Sequence, residues 1–237
     1  MNIAAKRTVI MISGRGSNMA ALVEAAANTG FPAEIVGVIS DKENAPGLQF
    51  AASRGLATRI IVRSDFADKT AHDAAIDAAL AGFGAEIVCL AGYMRLFTTP
   101  FVKKWEGRMI NIHPALLPAF KGLDTHGRAL AAGSRIHGCT VHFVTPEMDE
   151  GPIIAQSAVP VLLEDTADKL AARVLKAEHH LYPVALRLVA EGRAVMRDGK
   201  TVFPDPYHVV ENERQSLISP SAVRDAVDLE ALARFTP

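Results

Sequence analysis

The sequence predicts an open α/β fold, a twisted and mostly parallel sheet with helices on both faces. Short apolar runs rich in β-branched residues alternate with stretches of helical character. The runs at residues 8–12, 35–40, 87–91 and 109–112 are mostly apolar at successive positions rather than alternating, as strands covered on both faces must be. Glycine or proline stands just beyond several of them.

Taken in order, residues 8–12 form the first strand, which breaks at Ser13-Gly14-Arg15-Gly16-Ser17-Asn18 before an alanine-rich helix over 19–27. Residues 35–40 are the second strand. Pro46 starts a helix at its first position and Gly55 ends it. A third strand covers 59–62. Asp68 caps a helix to about 81, residues 87–91 are a strand, and Pro100 starts a short helix holding Trp105. Residues 109–112 are a strand, 115–125 a loop, 140–144 a strand, 145–152 a polar loop, and 153–159 a strand closing on Pro160. Asp165 or Thr166 caps the longest helix. There Leu170, Val174, Ala177, Leu181, Val184 and Leu188 share a face turned to the sheet. Pro183 should kink or split that helix. Asp198-Gly199 marks a tight hairpin within 195–203. The expected division is a catalytic domain over 1–206 and a polar tail over 207–237 with one short helix near 222–233.

The bulk properties narrow the function. With 237 residues, 49% hydrophobic and 22% charged, the chain can bury a core without disulfides or metals. The net charge of -1 and the lack of a long Lys/Arg block speak against nucleic acid as a partner. Cys89 and Cys139 sit in apolar surroundings and read as buried free thiols, which favours a reducing compartment. No stretch is long enough to span a membrane and no signal peptide is evident, so a cytoplasmic location is expected.

Two segments carry chemistry. The glycine loop at 13–18 lies between a strand and a helix, where free N–H groups and the dipole suit an anion. It lacks the third glycine of a dinucleotide fingerprint, Met19 standing there, and has no Gly-Lys-Ser/Thr. A single phosphate therefore fits better than a dinucleotide, although a plain tight turn accounts for the loop as well. At the second segment, Asn111 and His113 alternate along a strand and point to the same side, and Pro114 ends the strand there. An amide and an imidazole at the carboxyl end of a parallel strand stand where open α/β sheets bind ligands. Both can donate to the oxyanion that develops when an acyl group passes to an amine. Asp149 is the best candidate to hold His113 charged; Glu147 and Glu150 compete on spacing, and an ordinary turn aspartate remains an alternative. His126, His137, His142, Cys139 and Asp149 lack a metal-ligand spacing, so no metal is expected, and His142 reads as a hydrogen-bonded core histidine.

These residues together resemble the phosphoribosylglycinamide formyltransferases. The resemblance covers about residues 8–203. It rests on Ile12-Ser13-Gly14-Arg15-Gly16-Ser17-Asn18, Leu90-Ala91-Gly92-Tyr93-Met94-Arg95 and Asn111-Ile112-His113-Pro114-Ala115-Leu116-Leu117-Pro118. It continues through His142-Phe143-Val144-Thr145, Met148-Asp149-Glu150-Gly151-Pro152 and Ala177-Glu178-His179 before Tyr182-Pro183. The resemblance implies a Rossmann-like formyltransferase fold and transfer of a formyl group from 10-formyltetrahydrofolate to the amine of glycinamide ribonucleotide, in purine synthesis. It implies that Gly16, Ser17 and Asn18 cradle the substrate phosphate and that Glu178 binds the ribose hydroxyls. Lys69, Met94, Arg95, Leu96, Val102 and Asn111 would border the folate, and Asn111, His113 and Asp149 would form the catalytic trio. The Leu117-Pro118 bond would be cis.

Some positions depart from the family's pattern. Leu175 stands where some relatives place a polar residue, and Lys176 should point about 100° away around the helix. Lys69 replaces an expected arginine and lacks its bidentate fork. The implied partners are the two small molecules alone, with no nucleic acid and no membrane; a homodimer is compatible. Rival activities are a formyltetrahydrofolate deformylase, a sugar-nucleotide formyltransferase, a methionyl-tRNA formyltransferase and a non-catalytic nucleotide-binding module. The short tail of mixed charge argues against the tRNA enzyme, and the trio is left unexplained by the binding module.

Overall fold

A computed structural model of the chain describes residues 4–204, so the tail and its expected helix lie outside the described residues. Seven strands form one sheet in the order β3-β2-β1-β4-β5-β6-β7. Five are mutually parallel: β1 (Lys6–Ile12), β2 (Ala33–Ser40), β3 (Thr58–Ile60), β4 (Ile87–Leu90) and β5 (Met109–His113). β6 (Ile136–Phe143) runs antiparallel to β5, and β7 (Ile153–Pro160) antiparallel to β6. A separate hairpin of β8 (Val195–Arg197) and β9 (Lys200–Val202) turns at Asp198 and Gly199, both with positive φ.

Alternation along the central strands sorts the core into two layers. Ile10, Val38, Ile110 and Val141 pack with Leu22 of α1 (Ser17–Ala26) and with Leu170, Val174, Leu181 and Leu186 of α6 (Ala167–Ala190). Val9, Met11, Val88 and Met109 pack on the other face with Ile76 and Leu80 of α3 (Lys69–Gly82) and with Phe101 of α4 (Thr99–Lys104). The expected open sheet with helices on both faces is what forms. Each such side chain taken from water contributes on the order of 1.5–3 kcal/mol. The first layer also takes in Ala51 of α2 (Pro46–Ser53) and Ala129 lies buried on α5 (Thr125–Ala131). Cys89 and Cys139 are free and buried, and burial pushes each thiol up to about 12, so neither is a nucleophile at neutral pH.

Several elements differ from expectation. α1 begins at Ser17 rather than 19, so Ser17 and Asn18 belong to its first turn. α5 lies in a stretch where the sequence suggests no helix: Asp124 enters it in the left-handed region and no side chain caps it. β6 begins at Ile136, four residues before the expected start at 140. α6 runs unsplit through Pro183, because its apolar face is fastened to the sheet on both sides of the proline. Tyr182, beside that proline, donates its hydroxyl to the carbonyls of Leu90 (3.0 Å), the last residue of β4, and Ile110 (3.1 Å) of β5. Val184 is 51% exposed although it falls on the predicted face; the buried stripe runs through Leu181, Ala185 and Leu188 instead.

Candidate active site

The site is assembled at the carboxyl end of the parallel strands, from the turn after β1, the loop after β4 and the end of β5. Gly16 has φ 71 at the N-cap of α1, and a Cβ there would press on Met19 and on Gly47. No side chain caps α1, and Ala20 makes the first intrahelical bond, to the Gly16 carbonyl. The amides of Ser17, Asn18 and Met19 therefore have no intrahelical acceptor and point out of the helix end, as an anion requires. Asn18 itself is buried and donates its Nδ2 to Glu178 Oε2 at 2.6 Å. Glu178 sits within the apolar stripe of α6, and burial raises its carboxyl while the Asn18 bond opposes the rise. Lys176, two residues along, is exposed.

Asn111 and His113 lie at the end of β5, Asn111 half-buried and His113 buried. The register pairs Leu90 with Asn111 on one side and His142 with Asn111 on the other. His142 Nδ1 donates to the Phe143 carbonyl at 2.8 Å, and burial lowers its basicity, so the ring is neutral with a lone pair on Nε2. Asn111 Nδ2 donates to that lone pair at 3.3 Å. One of the two amide N–H bonds is thus spent on orientation and the other is left for a ligand. His142 is the buried, hydrogen-bonded histidine the sequence suggests, but its role in orienting Asn111 follows only from the antiparallel pairing of β5 with β6, which sets the two side by side.

Asp149 reaches this pair by an unexpected route. Because β6 is antiparallel to β5, its last residue, Phe143, lies beside Ile110 and away from His113. The loop after β6 leaves from the far end of β5 and folds back. Asp149 turns it with φ 55, and Gly151 packs so closely on the Phe143 carbonyl that a Cβ would collide. Asp149 Oδ2 then stands 3.4 Å from His113 Nδ1 and accepts from the Gly122 amide at 2.9 Å; Oδ1 is 3.8 Å from His142 Nε2. Of the competitors, Glu147 is exposed and Glu150 pairs with Lys121 at 2.9 Å. The other ring nitrogen of His113, Nε2, donates to the Phe120 carbonyl at 2.9 Å. A carboxylate thus faces one ring nitrogen and a carbonyl the other, and a ligand oxygen must displace the Phe120 carbonyl to receive the Nε2 hydrogen bond. The Leu117–Pro118 bond is cis.

The residues implied for a folate divide between wall and floor. Met94 (65%) and Leu96 (64%) are exposed on the loop after β4, while Val102 is buried in the second core layer beneath it. Arg95 Nε donates to Asp41 Oδ2 at 2.9 Å, and Lys69 Nζ donates to the Phe97 carbonyl at 2.8 Å. A cavity of about 410 Å³ opens at the ends of β1 and β2, lined by Ser13, Asp41, Asn44, Pro46 and Val62 among others. It touches none of Asn111, His113 and Asp149, so concavity alone does not mark the chemistry. Among the described residues no cluster of three or more His, Cys, Asp or Glu could hold a metal ion, and no helix is long and apolar enough to cross a membrane.

Comparison with known proteins adds to this geometry. Residues 6–186 match the family model described as formyl transferase. The chain is 39% identical over 205 residues to the phosphoribosylglycinamide formyltransferase of Escherichia coli (strain K12), covering 84% of this chain and 97% of that protein. It is 48% identical over 186 residues to the trifunctional purine biosynthetic protein adenosine-3 of Gallus gallus, covering 78% of this chain but only 18% of that much longer protein. Among solved structures, the phosphoribosylglycinamide formyltransferase from Brucella melitensis is 60% identical, with a TM-score of 0.76 over 78% of this chain and 96% of that one.

Proposed function

The chain belongs to the formyl transferase family, and from that premise we infer that it transfers a formyl group to the amine of glycinamide ribonucleotide in purine biosynthesis. The family's formyl donor is folate-derived; we take it to be 10-formyltetrahydrofolate, which supplies an activated formyl carbon. The observation that carries the proposal is the grouping of Asn111, His113 and Asp149 around the end of β5, with the Asp149 carboxylate 3.4 Å from the His113 ring and 3.8 Å from the ring of His142, which holds Asn111.

In this proposal Gly16 at the N-cap of α1 and Ser17 and Asn18 in its first turn hold the phosphate of the ribonucleotide, and Glu178 holds its ribose. The apolar Met94 and Leu96 flank the donor ring, the backbone near Arg95 reads its edge, Val102 backs the pocket, and Lys69 offers a cation to the donor's carboxylates. The free N–H of Asn111 and an N–H of His113 donate to the formyl oxygen as the amine adds and charge grows there. Donors of this kind are each worth roughly 3–4 kcal/mol in well-studied sites. The new C–N bond forms to the ribonucleotide amine and the old one to the folate nitrogen breaks. Asp149, 3.4 Å from Nδ1, orients His113 and helps pass the amine's proton to the departing nitrogen. No covalent enzyme intermediate is needed, and holding two substrates in line supplies much of the rate.

The proposal is tested by supplying the chain with 10-formyltetrahydrofolate labelled with carbon-13 at the formyl group, together with glycinamide ribonucleotide. Mass spectrometry should find the label in the ribonucleotide. Label released as formate with the ribonucleotide unchanged would identify a deformylase instead.

A further inference from the structure

The loop after β4 carries Met94 and Leu96, and its shape is fixed from outside. Four groups from other parts of the chain grip it. Ser13 Oγ accepts from the Met94 amide (2.9 Å), Asp41 Oδ2 accepts from Arg95 Nε (2.9 Å), Lys69 Nζ donates to the Phe97 carbonyl (2.8 Å), and Asp73 Oδ2 accepts from the Thr98 amide (2.7 Å). Two of the four grips are buried carboxylates: Asp41 is 1% and Asp73 4% exposed.

Each of these carboxylates commits one oxygen to the loop. The other oxygen, Oδ1 in both, is buried with no hydrogen-bond partner among the described residues, and so is the Tyr93 hydroxyl. Burial, and then the fields of Asp41 and Asp73, raise the Tyr93 phenol. Carboxylates so placed are expensive, and hydrophobic residues of similar volume would pack there at lower cost. What a carboxylate provides and a hydrocarbon does not is a fixed acceptor, here one near each end of the stretch from Arg95 to Thr98.

We propose that Asp41 and Asp73 are positioning residues for the formyl donor, acting through the loop at 93–98 rather than on the donor itself. This deepens the functional proposal above and rests on it, since that proposal makes the loop a wall of the donor pocket. A loop released at Thr98 or Arg95 presents Met94, Leu96 and the backbone between them in many arrangements, so the donor must order it on binding. The phosphate cradle at α1 and the trio at β5 are held by other contacts and keep their form.

The test is steady-state kinetics on the full chain with both substrates varied. Asp73→Ala is expected to raise the donor KM about tenfold, the scale of one lost hydrogen bond to a charged group, while kcat and the ribonucleotide KM stay within about threefold. Asp73→Asn keeps an oxygen for the Thr98 amide and should recover most of the donor KM, which a general loss of packing would not allow. Should Asp73→Ala fail to fold, the Asp41→Ala and Arg95→Ala cycle replaces it: a double variant no worse in donor KM than either single one supports the proposal, and additive losses overturn it. An unchanged donor KM in folded Asp73→Ala overturns this inference alone. No formyl transfer by the unaltered chain overturns the functional proposal and this one with it.

Discussion

Asn18 and Glu178, 160 positions apart in the chain, are joined by a hydrogen bond of 2.6 Å from Nδ2 to Oε2. It ties the first turn of α1 to the middle of α6 directly beneath the proposed phosphate cradle. The glycine turn after β1 and the longest helix, legible in the sequence as separate features, thereby become one surface.

That bond leads to a prediction on stability. Burial raises the Glu178 carboxyl above its ordinary 4.5. A raised carboxyl stabilises the fold below the unfolded value and loses that contribution as pH climbs through the folded one. Glu178→Gln should therefore melt at a higher temperature than the unaltered chain at pH 7–8, and the gap should close below about pH 4.5. The same variant should raise the ribonucleotide KM more than the donor KM. Thermal melts across pH and two-substrate kinetics check both.

His142 offers Asn111 a neutral acceptor. His142→Phe keeps the ring volume and removes the acceptor, freeing the Asn111 amide to rotate. Turnover should fall about tenfold to a hundredfold, the equivalent of roughly 1–3 kcal/mol, with the circular dichroism spectrum retained. Unchanged turnover would show that Asn111 needs no such partner.

His137 supplies a pH dependence of a different kind. Burial first, and then the neighbouring His126, lower it from 6.5 to about 4. His126 is lowered as well, again chiefly by burial. The unfolded chain takes up a proton at His137 near pH 6.5 that the folded chain refuses until about pH 4, so stability is lost as pH falls across that window. His137→Phe should flatten the fall in melting temperature over this range. An unaltered slope would place the acid sensitivity elsewhere.

How far the sequence disclosed this architecture depended on what each signal measures. Apolar runs and their glycine or proline boundaries mark the parallel strands well, because a strand buried on both faces has no polar positions to spare. Ile136-His137-Gly138, at the start of β6, breaks that pattern and carries no strand signal of its own. α5 is short, contains Gly127 and lacks a side-chain cap, so neither propensity nor capping marks it. Pro183 signals a broken helix, but tertiary packing holds α6 together across it.

At the site, Asn111 and His113 were legible because period-two alternation alone puts them on one face. The approach of Asp149 to His113 was expected, but through a loop returning to the same edge; the antiparallel β6 sends it back from the opposite end. The Phe120 carbonyl on His113 could not be foreseen, since a backbone oxygen carries no residue identity. The same holds for the Asp73 bond to the Thr98 amide, which appears only once the loop after β4 is folded.

The central claim is that Asn111, His113 and Asp149 transfer a formyl group between two bound substrates. The most direct measurement follows loss of 10-formyltetrahydrofolate by absorbance, with and without glycinamide ribonucleotide, for the unaltered chain and for His113→Ala. The account predicts turnover that requires the ribonucleotide and falls by a factor of about 10²–10⁴ in a His113→Ala variant that still folds. Near-normal turnover in that variant, or folate turnover indifferent to the ribonucleotide, would contradict it.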